Sequence, residues 1–234
     1  MWVLNAIFLT IILIIPTVQT TTSTKRGLVY IPNKKHPSDD GIWAKQGSDL
    51  TWYYNYLSNP TASLSIATFQ FVPMLWGVPA ANAAGGFYTT VKSLKDDGHN
   101  ISYALGFNEP DGSSSTGGSN IPAKTAASTW IAEMEPLREL GIQLGAPAVT
   151  GSSSGLSWLQ DFFTYCRGQC HIDFIPIHWY GDFQGLASFI GQVRQKYANI
   201  STDIWLTEYA LPKSSLQDSQ AFYNQSADYL DRLE

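Results

Sequence analysis

Cysteine is scarce in this chain: only Cys166 and Cys170 occur in 234 residues. With three residues between them they could close a small local disulfide in an oxidising compartment. A zinc site would need two further ligands, and His171 and His178 are the only histidines nearby. Nucleotide fingerprints are missing as well. No Gly-x-Gly-x-x-Gly follows the first apolar run and no Walker sequence occurs, which counts against a nucleotide-binding doubly wound sheet. Basic residues are outnumbered, with 14 Lys and Arg against 19 Asp and Glu, a net charge of -5 and a pI near 5.3. That balance excludes nucleic acid and anionic membranes as partners. A bilayer-spanning run is also wanting: Trp2 to Ile15 holds 12 apolar side chains in 14 positions, short of the roughly 20 a span requires. Its length is that of a secretory signal core, so residues 1–20 are read as a signal peptide, although no Lys or Arg precedes the run and no Ala-x-Ala follows it. An uncleaved N-terminal anchor is the alternative.

Aromatic side chains, by contrast, are plentiful: 8 Trp, 12 Tyr and 11 Phe. Trp and Tyr rings fill cores, and their faces also stack on sugar rings. Three acceptor triplets for N-glycosylation, beginning at Asn100, Asn199 and Asn224, agree with export. Apolar residues make up 44% of the chain. One domain is expected over residues 25–234, secreted and monomeric, with no membrane contact once the signal is removed.

Short apolar runs alternate with helical patterns along the chain. Strands are predicted over residues 25–31, 51–57, 69–76, 101–105, 143–149, 172–180 and 203–209, the third demoted to an edge by Pro73. Helices are predicted at 40–44, around Phe87, Val91 and Leu94, over 125–140 with a kink at Pro136, over 156–167 and 186–197, and beyond Pro212. The Ser/Gly stretch 112–120 reads as a mobile rim. Strand centres recur about every 30 residues, the length of a β-crossover-β unit. The pattern predicts a parallel sheet closed as a (β/α)8 barrel, with the eighth strand and helix missing from this sequence.

Active sites of such barrels gather at the C-terminal ends of the strands. There stand Glu109, in Gly106-Phe107-Asn108-Glu109-Pro110-Asp111 after strand four, and Glu208, in Leu206-Thr207-Glu208-Tyr209 at strand seven. The alternative for Asn108, Glu109 and Asp111 is that they cap the following helix or turn. Strand six ends in Ile177-His178-Trp179-Tyr180-Gly181. Two carboxyl groups flanking a cleft are the minimum for cleaving a glycosidic bond, one protonating the leaving oxygen and the other attacking the anomeric carbon or activating water. Strands four and seven face each other across a barrel mouth, so a separation of about 5 to 5.5 Å and a retaining mechanism are predicted. No cofactor or metal is called for, the remaining option being a metal-dependent hydrolase built on His178, Glu109 and Glu208.

The four segments Trp52-Tyr53-Tyr54-Asn55, Gly106 to Asp111, Ile177 to Gly181 and Leu206-Thr207-Glu208-Tyr209-Ala210 together resemble glycoside hydrolase family 128, of the clan A retaining glycosidases. That family contains endo-β-1,3-glucanases and the alkali-sensitive linkage proteins of fungal cell walls. The resemblance runs from about Arg26 to Leu233 and includes the cysteine-bearing segment before strand six. It implies a cofactor-free hydrolase of β-1,3-glucan, with Glu109 as acid/base and Glu208 as nucleophile. Asn108 would bind the sugar 2-hydroxyl, and Tyr180 or His178 would hydrogen-bond the nucleophile. Trp52, Tyr54, Asn55, Trp76 and Trp179 are the candidates for a sugar-stacking floor. A wall-associated glucan-binding or anchoring protein is the alternative, and it would have no need of the second carboxylate.

Overall fold

The computed structural model describes residues 25–32, 35–36, 41–45, 47–61, 69–80, 86–201 and 203–233. The proposed signal at 1–20 lies outside them, as does the start of the short helix expected at 40–44. Among the described residues, seven strands and five α-helices occur, alternating from β3 onward: β1 Arg26–Val29, β2 Leu50–Tyr54, β3 Gln70–Phe71, α1 Phe87–Asp96, β4 Tyr103–Leu105, α2 Ala123–Glu133, β5 Gln143–Gly145, α3 Ser153–Cys166, β6 Ile175–Tyr180, α4 Phe183–Tyr197, β7 Ile204–Ala210 and α5 Leu216–Asp231. Every strand pair is parallel. Three sheets, β1-β2-β3, β4-β5 and β6-β7, are joined in chain order by isolated parallel bridges, Met74 with Leu105 and both Gly145 with Phe174 and Val149 with Ile177, while Asn108 with Ala148 extends the β4-β5 pair.

Side-chain alternation along each strand separates two apolar layers. One lies between strands and helices, where Phe107, Trp130, Leu144, Phe162, Ile177 and Val193 are buried. The other lies on the opposite, concave face and consists of Tyr54, Val72, Met74, Leu105 and Phe174 with Trp52, Tyr103 and Trp205 packed against them. Trp205 of β7 meets rings from β2, from β4 and from the residue just before β6 at once: Trp52 at 5.0 Å, Tyr103 at 4.9 Å and Phe174 at 4.3 Å between centroids. Strands distant in pairing order therefore converge on one side, so the α/β arrangement curves. At its ends, Arg26 of β1 is paired with Asp49 and with Asp231 of α5, and the Lys25 ammonium donates to the Leu233 carbonyl.

Two expectations are corrected. Pro73 does not mark an edge strand. The chain around it runs between β2 and β4, with Val72 and Met74 donating to Tyr53 and Leu57, while Pro73 supplies only its carbonyl, to Leu105 N–H. A proline is tolerated because the donor it lacks is omitted there, and β3 shrinks to two residues. The kink at Pro136 is a full break. The α-helix stops at Glu133 and Glu135–Leu140 continue as a 3-10 helix, since residue 136 has no N–H to offer and its ring disfavours an α conformation at 135. Helices α3, α4 and α5 start at side-chain caps, where Ser152, Asp182 and Ser215 accept from the N–H groups of Gly155, Gly185 and Asp218. Cys166 and Cys170 are joined as a disulfide just after α3, holding its end near the entry to β6.

Candidate active site

Glu109 stands four residues past the end of β4. Its N–H donates to the Ala148 carbonyl at 2.8 Å, and that of Asn108 donates to Trp76 at 3.0 Å, so the segment is fixed from both sides. Gly106 is required below it: a Cβ there would lie 2.8 Å from the Trp130 ring and 2.9 Å from the Gly145 carbonyl. Glu109 itself has φ of 40°, a left-handed conformation that costs a non-glycine residue about 1–2 kcal/mol. The surrounding hydrogen bonds hold that strain. Asp111 accepts from both the N–H (3.0 Å) and the hydroxyl of Thr150, tying this turn to the one after β5. None of the three polar residues caps a helix, since Ser113 caps the 3-10 turn at Ser114–Thr116 and α2 begins only at Ala123; the turn half of that alternative holds in part, with Gly112 N–H on the Glu109 carbonyl.

Stretch 112–120 is corrected from a loose rim to a hydrogen-bonded cover. Gly112 N–H donates to Glu109, Ser119 N–H to Asn108 and the Asn108 amide to Gly117 O, at 2.9, 2.9 and 3.1 Å. Its small residues permit this close approach: a Cβ on Gly118 would meet the backbone of Gly112 at 2.6 Å and the Glu109 carbonyl at 2.7 Å.

Glu208 reaches the concave face through an irregularity in β7. Ile177 pairs with Leu206 but His178 pairs with Glu208, leaving Thr207 as an extra residue. In a regular strand Trp205 and Glu208 would point to opposite faces. The bulge reverses the alternation, so Trp205 packs on Phe174 inside, Glu208 also points inside, and Tyr209 turns outward against Phe222 of α5.

The two carboxyl groups and His178 meet there. One ligand atom from each of Glu109, His178 and Glu208 lies within 4.8 Å of the others. His178 is fully buried, and its Nδ1 is 3.0 Å from Glu109 Oε1 and 3.5 Å from Glu208 Oε2. With Glu109 ionised, Nδ1 carries the hydrogen and donates. These three side chains are also the set that could hold a divalent cation.

Phenols surround Glu208. Tyr56 donates to Oε1 at 2.7 Å, Tyr180 to Oε2 at 2.7 Å, and Tyr54 stands 3.3 Å from Oε1 and 3.1 Å from the Thr207 carbonyl. Burial pushes all three hydroxyls well above the usual phenol range, followed by the negative charge of Glu208 at Tyr54 and Tyr56 and by the hydrogen bond to Glu208 at Tyr180. They remain neutral donors wherever a free tyrosine would. Burial also raises Tyr197, and takes Tyr209 up to about 12. The linkage has one sign. A proton retained by the fold and lost by the unfolded chain stabilises fully below the ordinary phenol value of about 10 and progressively less as pH rises through the folded values. A fully buried phenol so protected, such as Tyr54, is expected to withdraw about 1.4 kcal/mol per pH unit above pH 10, and half-exposed Tyr180 less because solvent screens it. Urea midpoints measured from pH 8 to 12, alongside ultraviolet phenolate absorbance, test this. Complete phenolate formation near pH 10 in folded protein contradicts it.

The stacking floor needs correction. Trp52 sits in the filled interior layer against Trp205 and Gly27, its indole N–H donating to Lys25 O. Tyr54 is fully buried and offers a hydroxyl to the site, not a ring face. Asn55 is buried too, its amide committed to Asn59 O and Leu57 N–H. Trp179 points the other way from His178, onto Phe189 of α4, with its N–H on Asp182 O. Only Trp76, 39% exposed, keeps an open face. It lines a surface groove of about 410 Å³ with Gly77, Ser119 and Asn120, and a second groove of the same volume lies between Asp182, Phe183, Pro212 and Phe222. Tyr56 was not among the sequence candidates. Its signal was the alternation Trp52, Tyr54, Tyr56, which places one aromatic per step on a single face. Asn100, Asn199 and Asn224 are exposed.

Comparison with known proteins agrees with this geometry. The profile described as Glycosyl hydrolase catalytic core matches residues 27–234. Alkali-sensitive linkage protein 1 of Schizosaccharomyces pombe is 36% identical over 194 residues, 82% of this chain; the chain spans 32% of that relative's length. Among solved structures, a glycoside hydrolase family 128 curdlan-specific exo-β-1,3-glucanase from Blastomyces gilchristii, in complex with glucose, is 28% identical with a TM-score of 0.71, over 89% of this chain and 85% of that one. An endo-β-1,3-glucanase of the same family from Amycolatopsis mediterranei, in complex with laminaritriose, is 28% identical with a TM-score of 0.65, over 90% and 85%. With matching sequence over nearly its whole described length and the same arrangement of strands and helices as these enzymes, the chain belongs to the glycosyl hydrolase catalytic core family.

Proposed function

We propose that this chain is a glycoside hydrolase cleaving β-1,3-glucan with retention of configuration, exported to the cell surface or wall. The observation that carries the reading is the approach of Glu109 and Glu208 oxygens to within 4.8 Å. That gap is close to the ~5–5.5 Å of retaining pairs and well below the ~6.5–9.5 Å that leaves room for the water of an inverting reaction. In the first step Glu109 gives its proton to the glycosidic oxygen while a Glu208 oxygen attacks the anomeric carbon. The C–O bond to the leaving sugar breaks, and a glycosyl ester of Glu208 forms. Water then attacks the same carbon, Glu109 takes its proton, and the Glu208 carboxylate departs. Tyr180 and Tyr56 stabilise the returning charge on Glu208. Asn108 Oδ1 is buried without a partner among the described residues, and a sugar hydroxyl would satisfy it.

The substrate is drawn from the two glucanases above, and the wall setting from the linkage protein. Strands that run parallel in chain order and converge on Trp205 support a (β/α)8 barrel, with both glutamates at its C-terminal mouth. Laminarin incubated with the protein tests the reading by reducing-end release and by NMR of the first-formed anomer. Expected are release that survives a chelator and a product of β configuration. An initial α product contradicts retention, loss of activity with chelator favours the cation set, and no release from laminarin or curdlan removes the hydrolase reading.

A further inference from the structure

Three phenols surround Glu208, but each has only one hydrogen to donate. Tyr54 has a competing acceptor: its hydroxyl is closer to the Thr207 carbonyl, at 3.1 Å, than to Glu208 Oε1, at 3.3 Å. Its hydrogen belongs to that carbonyl, which the bulge has left outside the regular ladder. The donor to Oε1 is then Tyr56, at 2.7 Å, and the donor to Oε2 is Tyr180, also at 2.7 Å. The two oxygens differ in what else they face. Oε2 is the one turned toward His178 Nδ1 and, through it, toward Glu109.

The local backbone is built around this bond. Tyr56 has φ of 62°, a conformation that a bulky aromatic adopts only where its surroundings impose it. Asn55 imposes it: its side chain accepts from Leu57 N–H at 3.1 Å and donates to Asn59 O at 2.9 Å, closing the turn over Tyr56. The Tyr56 ring rests edge-on against Tyr54, with centroids 5.1 Å apart, so the hydroxyl has little freedom to leave Oε1. A backbone distortion of this kind would be pointless for a ring that merely filled space.

We propose that Tyr56 is a positioning residue that fixes Oε1 of Glu208, so that the nucleophilic carboxylate is held at both oxygens, by Tyr56 on Oε1 and Tyr180 on Oε2. The assignment rests on the glycosidase reading and adds to it a side chain, from the turn after β2, that orients the nucleophile. No proton moves from Tyr56 in either step; it donates to Oε1 throughout.

The test is a pair of variants on laminarin-derived oligosaccharides. Tyr56→Phe is expected to lower kcat about 10- to 100-fold, the usual worth of a hydrogen bond to a charged group, with KM changed less than about threefold. It should also move the acidic limb of the kcat/KM profile to higher pH, because a carboxylate that loses a donor is easier to protonate. Difluorotyrosine at position 56, which keeps the ring and donates more strongly, should move the same limb to lower pH. It also decides the matter if the phenylalanine variant does not fold. An acidic limb unmoved in both variants overturns the assignment, as does a shift of equal size in Tyr54→Phe. Wild-type protein that releases nothing from laminarin overturns the glycosidase reading itself, an outcome separate from either.

Discussion

Glu208→Gln is expected to lower kcat on laminarin by about three to five orders of magnitude while leaving oligosaccharide binding within about tenfold of wild type. Glutamine has the shape of the carboxylate, so the interior beneath it, Trp205 on Phe174 and Tyr54 on the Thr207 carbonyl, is undisturbed. What is lost is the charge. A neutral amide cannot form a stable glycosyl ester, and Tyr56 and Tyr180, both donating to this side chain, face an NH₂ group that can no longer accept from one of them. The separation of binding from turnover distinguishes a chemical role from a structural one. Calorimetric titration with laminarihexaose, beside reducing-end release, reads both. Activity within about tenfold of wild type removes Glu208 from the chemistry and leaves the glucan-binding alternative, for which one carboxylate in the cleft is as good as none.

The limits of the sequence are clearest at this residue. Glu208 was legible as a strand-end acid because an apolar run precedes it, and Glu109 because glycine and proline bracket it. That they face each other was expected from strands four and seven lying across a barrel mouth; the backbone device that turns Glu208 inward was not legible. Strict alternation puts Glu208 on the same face as Leu206, toward the helices, and only the extra residue at Thr207 turns it inward. A bulge adds no composition signal, since it uses ordinary side chains and is decided by which partner hydrogen bonds form. The same holds for 112–120: serine and glycine read as slack, yet here their smallness lets the loop lie against Glu109 and Asn108. Trp52 fails for a third reason. A ring on the inner face can serve a ligand or fill the interior, and which it does depends on its height relative to Trp205, five strands further along the chain. By contrast the strand and helix order, the cysteine pair and the position of His178 were all readable, because each rests on local periodicity or spacing.

Glu109→Ala carries the second large effect, and its size should depend on the leaving group. For laminarin, whose departing sugar alkoxide is a poor leaving group, loss of the proton donor is expected to cost about 10²- to 10⁴-fold in kcat. An activated aryl β-glucoside, such as a dinitrophenyl laminaribioside, leaves without protonation. Its first step should survive almost intact, so that glycosyl-Glu208 accumulates as a burst and the steady state is limited by the slow second step. Azide then enters the space the carboxyl vacated beside His178 and attacks the anomeric carbon, expelling the Glu208 carboxylate without needing a base. Turnover should rise with azide concentration and yield the β-glycosyl azide, two inversions restoring the starting configuration. The alkaline limb of the pH profile should vanish together with the acid that produces it. An equal loss on both substrates would mean that Glu109 positions the sugar and does not donate to it. An α-glycosyl azide would mean that azide displaced the leaving group directly, with no ester on Glu208, and would return the pair to the inverting arrangement that its short separation argues against.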